Sequence, residues 1–158
     1  KNTNLLDLGS YPGGWSQVVS QIAKSGKILA VDVKVMKPVS NVQFLKSDIF
    51  MIEAKNKIIN YFKGNIDVII SDMAADTTGN KSLDSIRTNQ LCTEVLNFSS
   101  KILKPQGVLV SKLFMGEDFI EVKALAKSLF KYVNFFKPES SRNESKETYL
   151  HCKILNSL

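Results

Sequence analysis

Hydrophobic residues along the chain fall into two patterns. Short uninterrupted runs are typical of buried strands, and longer stretches with an apolar side chain at every third or fourth position are typical of amphipathic helices. Proline and glycine separate these segments: Pro38, Gly64 and the pair Pro105 and Gly107 each close one. In chain order the patterns predict strand 5–8, helix 15–24, strand 27–33, strand 42–45, helix 50–62, strand 65–70, a polar stretch 77–85 followed by a helix to 103, strand 108–113, helix 118–130, strand 132–136 and strand 148–155.

The alternation of strands with helices predicts an α/β fold. Helical connections between strands form right-handed crossovers, so we expect a mostly parallel, seven-stranded sheet with helices on both faces. Residues 137–146, between the last two strands, lack helical spacing, and the last strand is therefore predicted to be antiparallel. In sheets of this kind, ligands bind beyond the carboxyl ends of the strands, and functional residues are expected there.

Length and composition limit the class of protein. The chain has 158 residues, close to the size of one domain, so residues 1–158 are predicted to form a single domain. Hydrophobic residues make up 44% and charged residues 23%, which excludes a disordered or fibrous chain. The two cysteines, Cys92 and Cys152, are too few for a disulfide scaffold, which favours buried thiols and a reducing intracellular compartment. No apolar run approaches the roughly 18 residues of a membrane span, so no membrane partner is expected.

The charge adds a preference for a polyanionic partner. Lysine and arginine number 21 against 15 acidic residues, a formal net charge of +6. Arg87 and Arg142 are the only arginines, which leaves 19 of the 21 basic residues as lysines. Lysine binds phosphate as a point charge and lacks the bidentate fork of arginine. The composition therefore favours contact with a nucleic-acid backbone over recognition of bases.

The ends of the first three strands carry residues suited to a nucleoside ligand. The first strand leads into a turn with three glycines, Gly9, Gly13 and Gly14, which can bring backbone amides close to a ligand or can simply form a tight turn. Its spacing matches neither G-x-G-x-x-G nor a P-loop. Asp32 ends the second strand, where an acid can accept hydrogen bonds from ribose hydroxyls. Asp48 follows the third strand and can bind an adenine amino group or cap a helix. Together they predict a pocket for an adenosine with a non-phosphate tail.

The later strands bring three charged residues to the same edge of the sheet. Asp72 directly follows the apolar run 68–70, where a carboxylate is costly to desolvate without a partner. Lys112 interrupts the run 108–114 and can serve as that partner, or its stem can extend to solvent. Glu147 opens the last strand near the same edge. A single histidine, His151, does not support a hydrolase triad, and the absence of a cysteine and histidine cluster predicts no metal site.

Four motifs in order resemble the FtsJ/RrmJ family of S-adenosylmethionine-dependent RNA 2′-O-methyltransferases. The turn 7–17 is similar to that family's cofactor loop, and Ser71-Asp72-Met73-Ala74 followed by Thr78-Gly79 to its catalytic acid motif. The segments 112–116 and 137–149 are similar to its lysine and C-terminal motifs. The resemblance implies a Rossmann-like class I methyltransferase fold with S-adenosyl-L-methionine as cofactor. The form of the acid motif and the C-terminal motif resemble the ribosomal RNA branch, which methylates a uridine ribose in large-subunit RNA.

The resemblance also implies roles for individual residues. The family uses a Lys-Asp-Lys-Glu tetrad, of which Asp72, Lys112 and Glu147 match the last three members. The first lysine lies before the first strand in the family, and Lys1 is too close to that strand to replace it. The chain is therefore expected to lack an N-terminal segment of the methyltransferase domain. Ala75 replaces a proline of the family, and Gln106 a glycine. The cofactor-binding residues that the motifs imply are Gly9, Gly13, Gly14, Trp15, Asp32, Asp48 and Asp72.

The expected activity is transfer of a methyl group to a ribose 2′-hydroxyl of RNA by a monomeric enzyme. Lys112 is then either the base for that hydroxyl or a cation that orients it and stabilises the developing oxyanion. Ribosomal RNA or a ribosomal subunit is the expected partner, with tRNA as an alternative substrate. A non-catalytic module for RNA binding or ribosome assembly is an alternative of another class. A nicotinamide-dependent dehydrogenase is disfavoured because the turn lacks the G-x-G-x-x-G spacing.

Overall fold

The structure is a computed structural model that describes residues 2–23, 25–139 and 145–156. None of the helices in these ranges is long and apolar enough to cross a membrane. Within them, seven strands and four helices follow one another as β1 (Leu5–Leu8), α1 (Gly14–Ile22), β2 (Ile28–Asp32), β3 (Gln43–Lys46), α2 (Ile52–Phe62), β4 (Ile66–Ser71), α3 (Lys81–Ile102), β5 (Leu103–Phe114), α4 (Phe119–Leu129), β6 (Phe130–Phe136) and β7 (Glu147–Leu155).

All seven strands form one sheet in the order β3-β2-β1-β4-β5-β7-β6. The neighbouring pairs from β3 to β5 are parallel, whereas β7 lies antiparallel between β5 and β6. The predicted mostly parallel sheet with an antiparallel last strand is confirmed. The order of strands reverses between β1 and β4, and the carboxyl ends of these two strands therefore border a crevice.

Helices cover both faces of the sheet, as predicted. Because side chains alternate along a strand, β1 sends Leu6 and Leu8 to one face and Leu5 to the other. The first face carries the larger apolar core, to which α2, α3 and α4 contribute residues such as Ile58 and Leu96. The second face carries a smaller cluster to which α1 contributes. Its members are Leu5, Ile28 and Ile70, with Trp15, Val19, Ala23, Val42, Val68 and Val110 packed against them.

Two boundaries differ from the sequence prediction by more than two residues. Helix α3 begins at Lys81, inside the polar stretch, because the Asn80 side chain accepts hydrogen bonds from the backbone N–H groups of Ser82 and Leu83, at 3.1 Å each. Strand β5 begins at the residue after that helix and includes Pro105, which the sequence assigned to a break. The register with β4 is irregular at this point, and a proline there removes no regular ladder hydrogen bond.

The far end of β5 projects beyond β4. The last paired residue of β5 on that side is Ser111, and β5 continues to Phe114. The buried side chain of Asn89, on α3, takes the place of the missing strand: its amide donates to the Phe114 carbonyl at 2.9 Å and its oxygen accepts from the Phe114 N–H at 2.8 Å. The same amide donates to Asp118, before α4, at 2.7 Å. Asn89 therefore fixes the end of the strand that carries Lys112.

The two cysteines are unpaired and buried, as predicted. Burial raises the pKa of the Cys92 thiol to about 11 and that of Cys152 to about 12. Both side chains therefore remain thiols at neutral pH and act as apolar packing groups.

Candidate active site

A cleft of about 770 Å³ lies at the carboxyl ends of β1 to β5, beside the crevice between β1 and β4. Every one of these five strands or the loop that follows it contributes to the lining, which the α/β architecture predicts. The residues that line the cleft are Leu8, Gly9, Tyr11, Val31, Asp32, Val33, Lys34, Ser47, Asp48, Ile49, Phe50, Asp72, Met73, Ala74, Ala75, Asp76, Arg87, Gln90, Leu91 and Lys112.

The glycine turn after β1 requires glycine at two positions. Gly9 has a φ of 72°, and a Cβ there would lie 2.5 Å from Met73 Cγ and 3.0 Å from the Met73 nitrogen. Gly13 has a φ of 114° and precedes the first residue of α1, Gly14. Gly9 lines the cleft, whereas Gly13 and Gly14 do not. The turn therefore lets β1 and the segment after β4 approach each other at the floor of the cleft.

Trp15 lies on α1 and packs into the smaller apolar cluster. Its ring centroid is 5.5 Å from that of Tyr149, and it does not line the cleft. The structure thus places Trp15 against the residues beside the cleft, and its role in shaping the cofactor pocket stays a prediction.

Two predicted carboxylates, Asp32 and Asp48, line the cleft on the side away from β5. The carboxylate of Asp32 accepts hydrogen bonds from the Tyr11 N–H at 2.9 Å and the Lys34 N–H at 2.8 Å, and so ties the glycine turn to the end of β2. Asp48 accepts from the Phe50 N–H at 2.9 Å. The alternative that Asp48 caps α2 is wrong, because that helix begins at Ile52 and its N-cap residue has no side-chain cap.

Asp7 is a buried carboxylate that the sequence analysis did not single out. It is fully buried in β1 and accepts a hydrogen bond from the Ser16 hydroxyl at 2.6 Å, while its Oδ1 has no partner among the described residues. Burial raises the pKa of Asp7 to about 6, the Ser16 hydrogen bond opposes this rise, and the charges of Asp72 and Asp32 add to it. The sequence signal for this buried carboxylate was the presence of an acidic residue inside the otherwise apolar run 5–8.

The three predicted catalytic residues meet at the β5 side of the cleft. Lys112 Nζ lies 3.0 Å from Asp72 Oδ1 and 3.6 Å from Glu147 Oε2. Asp72 follows β4, Lys112 lies on the projecting end of β5, and Glu147 opens β7, so three neighbouring strands supply one charge each. The lysine side chain is 12% exposed and the carboxylates about one third, which places a paired ammonium at the edge of the cleft. Their catalytic roles stay predictions. The C-terminal motif residues 140–142 and Lys1 lie outside the described residues.

Tyr149 joins this cluster without having been predicted to do so. Its hydroxyl lies 2.8 Å from Asp72 Oδ1 and 3.3 Å from Glu147 Oε1. Tyr149 is directly opposite Lys112 in the antiparallel pair of β5 and β7, so their side chains share a face of the sheet. The sequence signal was its position two residues after Glu147 on a predicted strand, because residues at that spacing point to the same face.

Among the described residues, the cleft is lined by several carboxylates and by no histidine or cysteine side chain. In the described ranges, no three or more His, Cys, Asp or Glu side chains are grouped so that they could hold a metal ion. The arrangement instead suits a ligand that carries positive charge together with hydroxyl or amino donors. On the β5 side, a lysine held by two carboxylates can donate to a reacting oxygen.

Comparison with known proteins gives consistent results. A family model described as FtsJ-like methyltransferase matches residues 1–155. The chain is 47% identical over 152 residues to the ribosomal RNA large subunit methyltransferase E of Pelagibacter ubique, which covers 96% of this chain and 75% of that protein. A crystal structure described as a ribosomal RNA methyltransferase from Plasmodium falciparum has a TM-score of 0.87 at 30% identity, over 98% of this chain and 87% of that one.

A more distant likeness concerns the fold alone. The structure of human methyltransferase-like protein 13 in complex with SAH has a TM-score of 0.71 at 18% identity, over 98% of this chain and 72% of that one. The architecture is therefore shared well beyond the proteins that are similar in sequence.

Proposed function

The chain belongs to the FtsJ-like methyltransferase family, and we propose that it methylates the ribose 2′-hydroxyl of a uridine in large-subunit ribosomal RNA. It is an S-adenosylmethionine-dependent RNA methyltransferase, as its family and relatives indicate. One observation supports the proposal that methyl transfer takes place beside Lys112: this lysine lies at the edge of the cleft, paired with Asp72 and Glu147. Pure RNA binding would require no such cluster of paired charges.

The residues of the cleft fit the cofactor. S-adenosylmethionine carries a sulfonium and an ammonium group, and Asp32, Asp48 and Asp72 place carboxylates around the cleft, with Asp7 buried nearby. Asp32 and Asp48 would hold the nucleoside through its hydroxyl and amino donors, and Gly9 lines the cleft beside them. When bound, the cofactor supplies an electrophilic methyl group on a sulfonium.

Lys112 would act on the acceptor oxygen as a fixed cation. An ammonium has three N–H groups, of which one donates to Asp72 and another faces Glu147, so the third can donate to the ribose 2′-oxygen. That contact would orient the oxygen and stabilise the negative charge that develops on it as the hydroxyl proton passes to water, which reaches the cluster because both carboxylates are about one third exposed. The two carboxylates would keep the ammonium in place, since an unpaired lysine at 12% exposure loses much of its hydration.

Transfer of labelled methyl groups tests the proposal. The full-length protein is incubated with labelled S-adenosylmethionine and, separately, with deproteinised ribosomal RNA, intact ribosomal subunits and tRNA, and the modified nucleotide is mapped. We expect label on a uridine 2′-oxygen in large-subunit RNA. Label in tRNA alone would assign the chain to the alternative substrate, and no incorporation into any RNA would favour a non-catalytic binding or assembly module.

Replacement of Lys112 tests its role. We expect Lys112→Ala to abolish transfer while the affinity for S-adenosylmethionine, measured by calorimetry, stays within about twofold. Lys57→Ala is the matched control, because it removes the same charge from the exposed side of α2. Near-normal methylation by Lys112→Ala would contradict the assignment. We further propose that the enzyme acts as a monomer on its large RNA partner, which sedimentation of the free protein tests.

A further inference from the structure

We propose that Tyr149 is a positioning residue of this site, whose hydroxyl holds Asp72 and Glu147 in the arrangement that fixes Lys112. The inference rests on the proposed function and extends it to a residue with no assigned role. The Tyr149 hydroxyl contacts both carboxylates that pair with Lys112, and it therefore acts on the reaction through these neighbours.

The contacts of the hydroxyl define the role. Tyr149 and Lys112 approach the same oxygen, Asp72 Oδ1, at 2.8 Å and 3.0 Å. A carboxylate oxygen has two lone pairs, so two donors satisfy it. Glu147 completes the ring of contacts, with one oxygen 3.3 Å from the Tyr149 hydroxyl and the other 3.6 Å from the Lys112 ammonium. The four side chains form a closed cycle in which Tyr149 is the only uncharged member.

The hydroxyl acts as a donor and not as a base. Burial, followed by the contacts with Asp72 and Glu147, holds the pKa of Tyr149 far above its ordinary value. The residue therefore stays a phenol throughout the range in which proteins are active. A phenol has a single proton, and the shorter contact directs that proton to Asp72.

Packing against two aromatic rings fixes the direction of the hydroxyl. The ring lies 5.5 Å from Trp15 at an interplanar angle of 31°, and 5.7 Å from Phe136 at 23°, centroid to centroid. The residue is 6% exposed. The ring also connects α1, which follows the glycine turn, with the carboxylate cluster. Because the ring and the hydroxyl make separate contacts, removal of the hydroxyl alone leaves the packing in place.

Tyr149→Phe isolates the proposed role. We expect kcat for RNA methylation to fall roughly 10- to 100-fold, the effect of losing one hydrogen bond to a charged group. KM for S-adenosylmethionine and the melting temperature should stay close to those of the parent, because the ring remains. Tyr132→Phe is the matched control: it removes a hydroxyl from a half-exposed tyrosine on β6, and kcat should not change.

A second readout does not depend on turnover. In the full-length protein with isotope-labelled lysine, the Nζ resonance of Lys112 is assigned by its loss in Lys112→Ala. We expect this resonance to move in Tyr149→Phe and to stay in place in Tyr132→Phe. An unchanged kcat, a loss confined to KM for the cofactor, or an unmoved resonance would each overturn the inference. An inactive parent would refute the proposed function alone, since the resonance still reports whether Tyr149 holds the cluster.

Discussion

Asp7 provides a quantitative test of the electrostatics beneath the cleft. Its carboxyl group is fully buried, and its pKa rises from 3.8 to about 6. Between these values the folded state binds a proton that the unfolded state has lost, so the free energy of unfolding falls as the pH rises through this window. Each pKa unit corresponds to about 1.4 kcal/mol, which gives a total fall of about 3 kcal/mol.

Asp7→Asn removes this titration while it retains an oxygen that can accept from Ser16. Any change in the free energy of unfolding caused by the amide itself is independent of pH. The prediction therefore concerns how the free energy of unfolding varies with pH. We expect the free energy of unfolding of Asp7→Asn, relative to that of the parent, to increase by about 3 kcal/mol between roughly pH 4 and pH 7. Groups that do not interact with Asp7 contribute equally in both proteins and cancel in the difference.

Urea unfolding at several pH values measures this difference, with fluorescence of Trp15, the single tryptophan, as the probe. Asp76→Asn is the control for the substitution itself, because it makes the same chemical change at an exposed side chain. A difference between Asp7→Asn and the parent that is constant across the range would show that folding does not raise the pKa of Asp7. Titration of the Asp7 carboxyl carbon by NMR measures the same pKa directly.

Two further predictions concern the framework of the site. Asn89→Leu removes both hydrogen bonds to the Phe114 backbone, and should lower the free energy of unfolding by about 2–5 kcal/mol in urea titrations and reduce methylation. Gly9→Ala places a Cβ against Met73 at a φ of 72°, and should lower the free energy of unfolding by about 1–3 kcal/mol and weaken cofactor binding. Gly14→Ala adds a Cβ where no atom lies within 4 Å, and should change the free energy of unfolding by less than about 0.5 kcal/mol. Equal effects of the two alanines, or an unaffected Asn89→Leu protein, would contradict these predictions.

The sequence predicted the fold because local patterns and topology agreed along most of the chain. The strand Leu5–Leu8 was predicted to the residue, and the antiparallel insertion of β7 followed from a non-helical connection. The start of α3 was missed because Asn80 caps the helix within a polar stretch, and the spacing of apolar residues does not indicate where a helix is capped. The start of β5 was missed because Pro105 occupies an irregular part of the ladder, where the usual exclusion of proline does not apply.

The site was predicted as a set of strand ends, and its internal contacts could not be. Asp72, Lys112 and Glu147 were predicted at one edge of the sheet from the topology. In the structure, a carboxylate oxygen of Asp72 and one of Glu147 lie within 3.6 Å of Lys112 Nζ. Tyr149 and Asp7 were missed because their importance depends on burial and on partners distant in the chain. Asp48 was open to interpretation as a cap until the structure placed the helix start beyond it, at Ile52.

The position of β7 makes the charge cluster depend on completion of the sheet. It is the last of the seven strands in chain order, yet it lies between β5 and β6 and brings Glu147 and Tyr149 to Lys112. Because a domain folds as a unit, the charge cluster forms only when this strand lies between two strands that precede it in the chain. The hydrogen bond between Tyr149 and Asp72 joins positions 77 apart in the sequence, so the cluster is complete only when the sheet is complete.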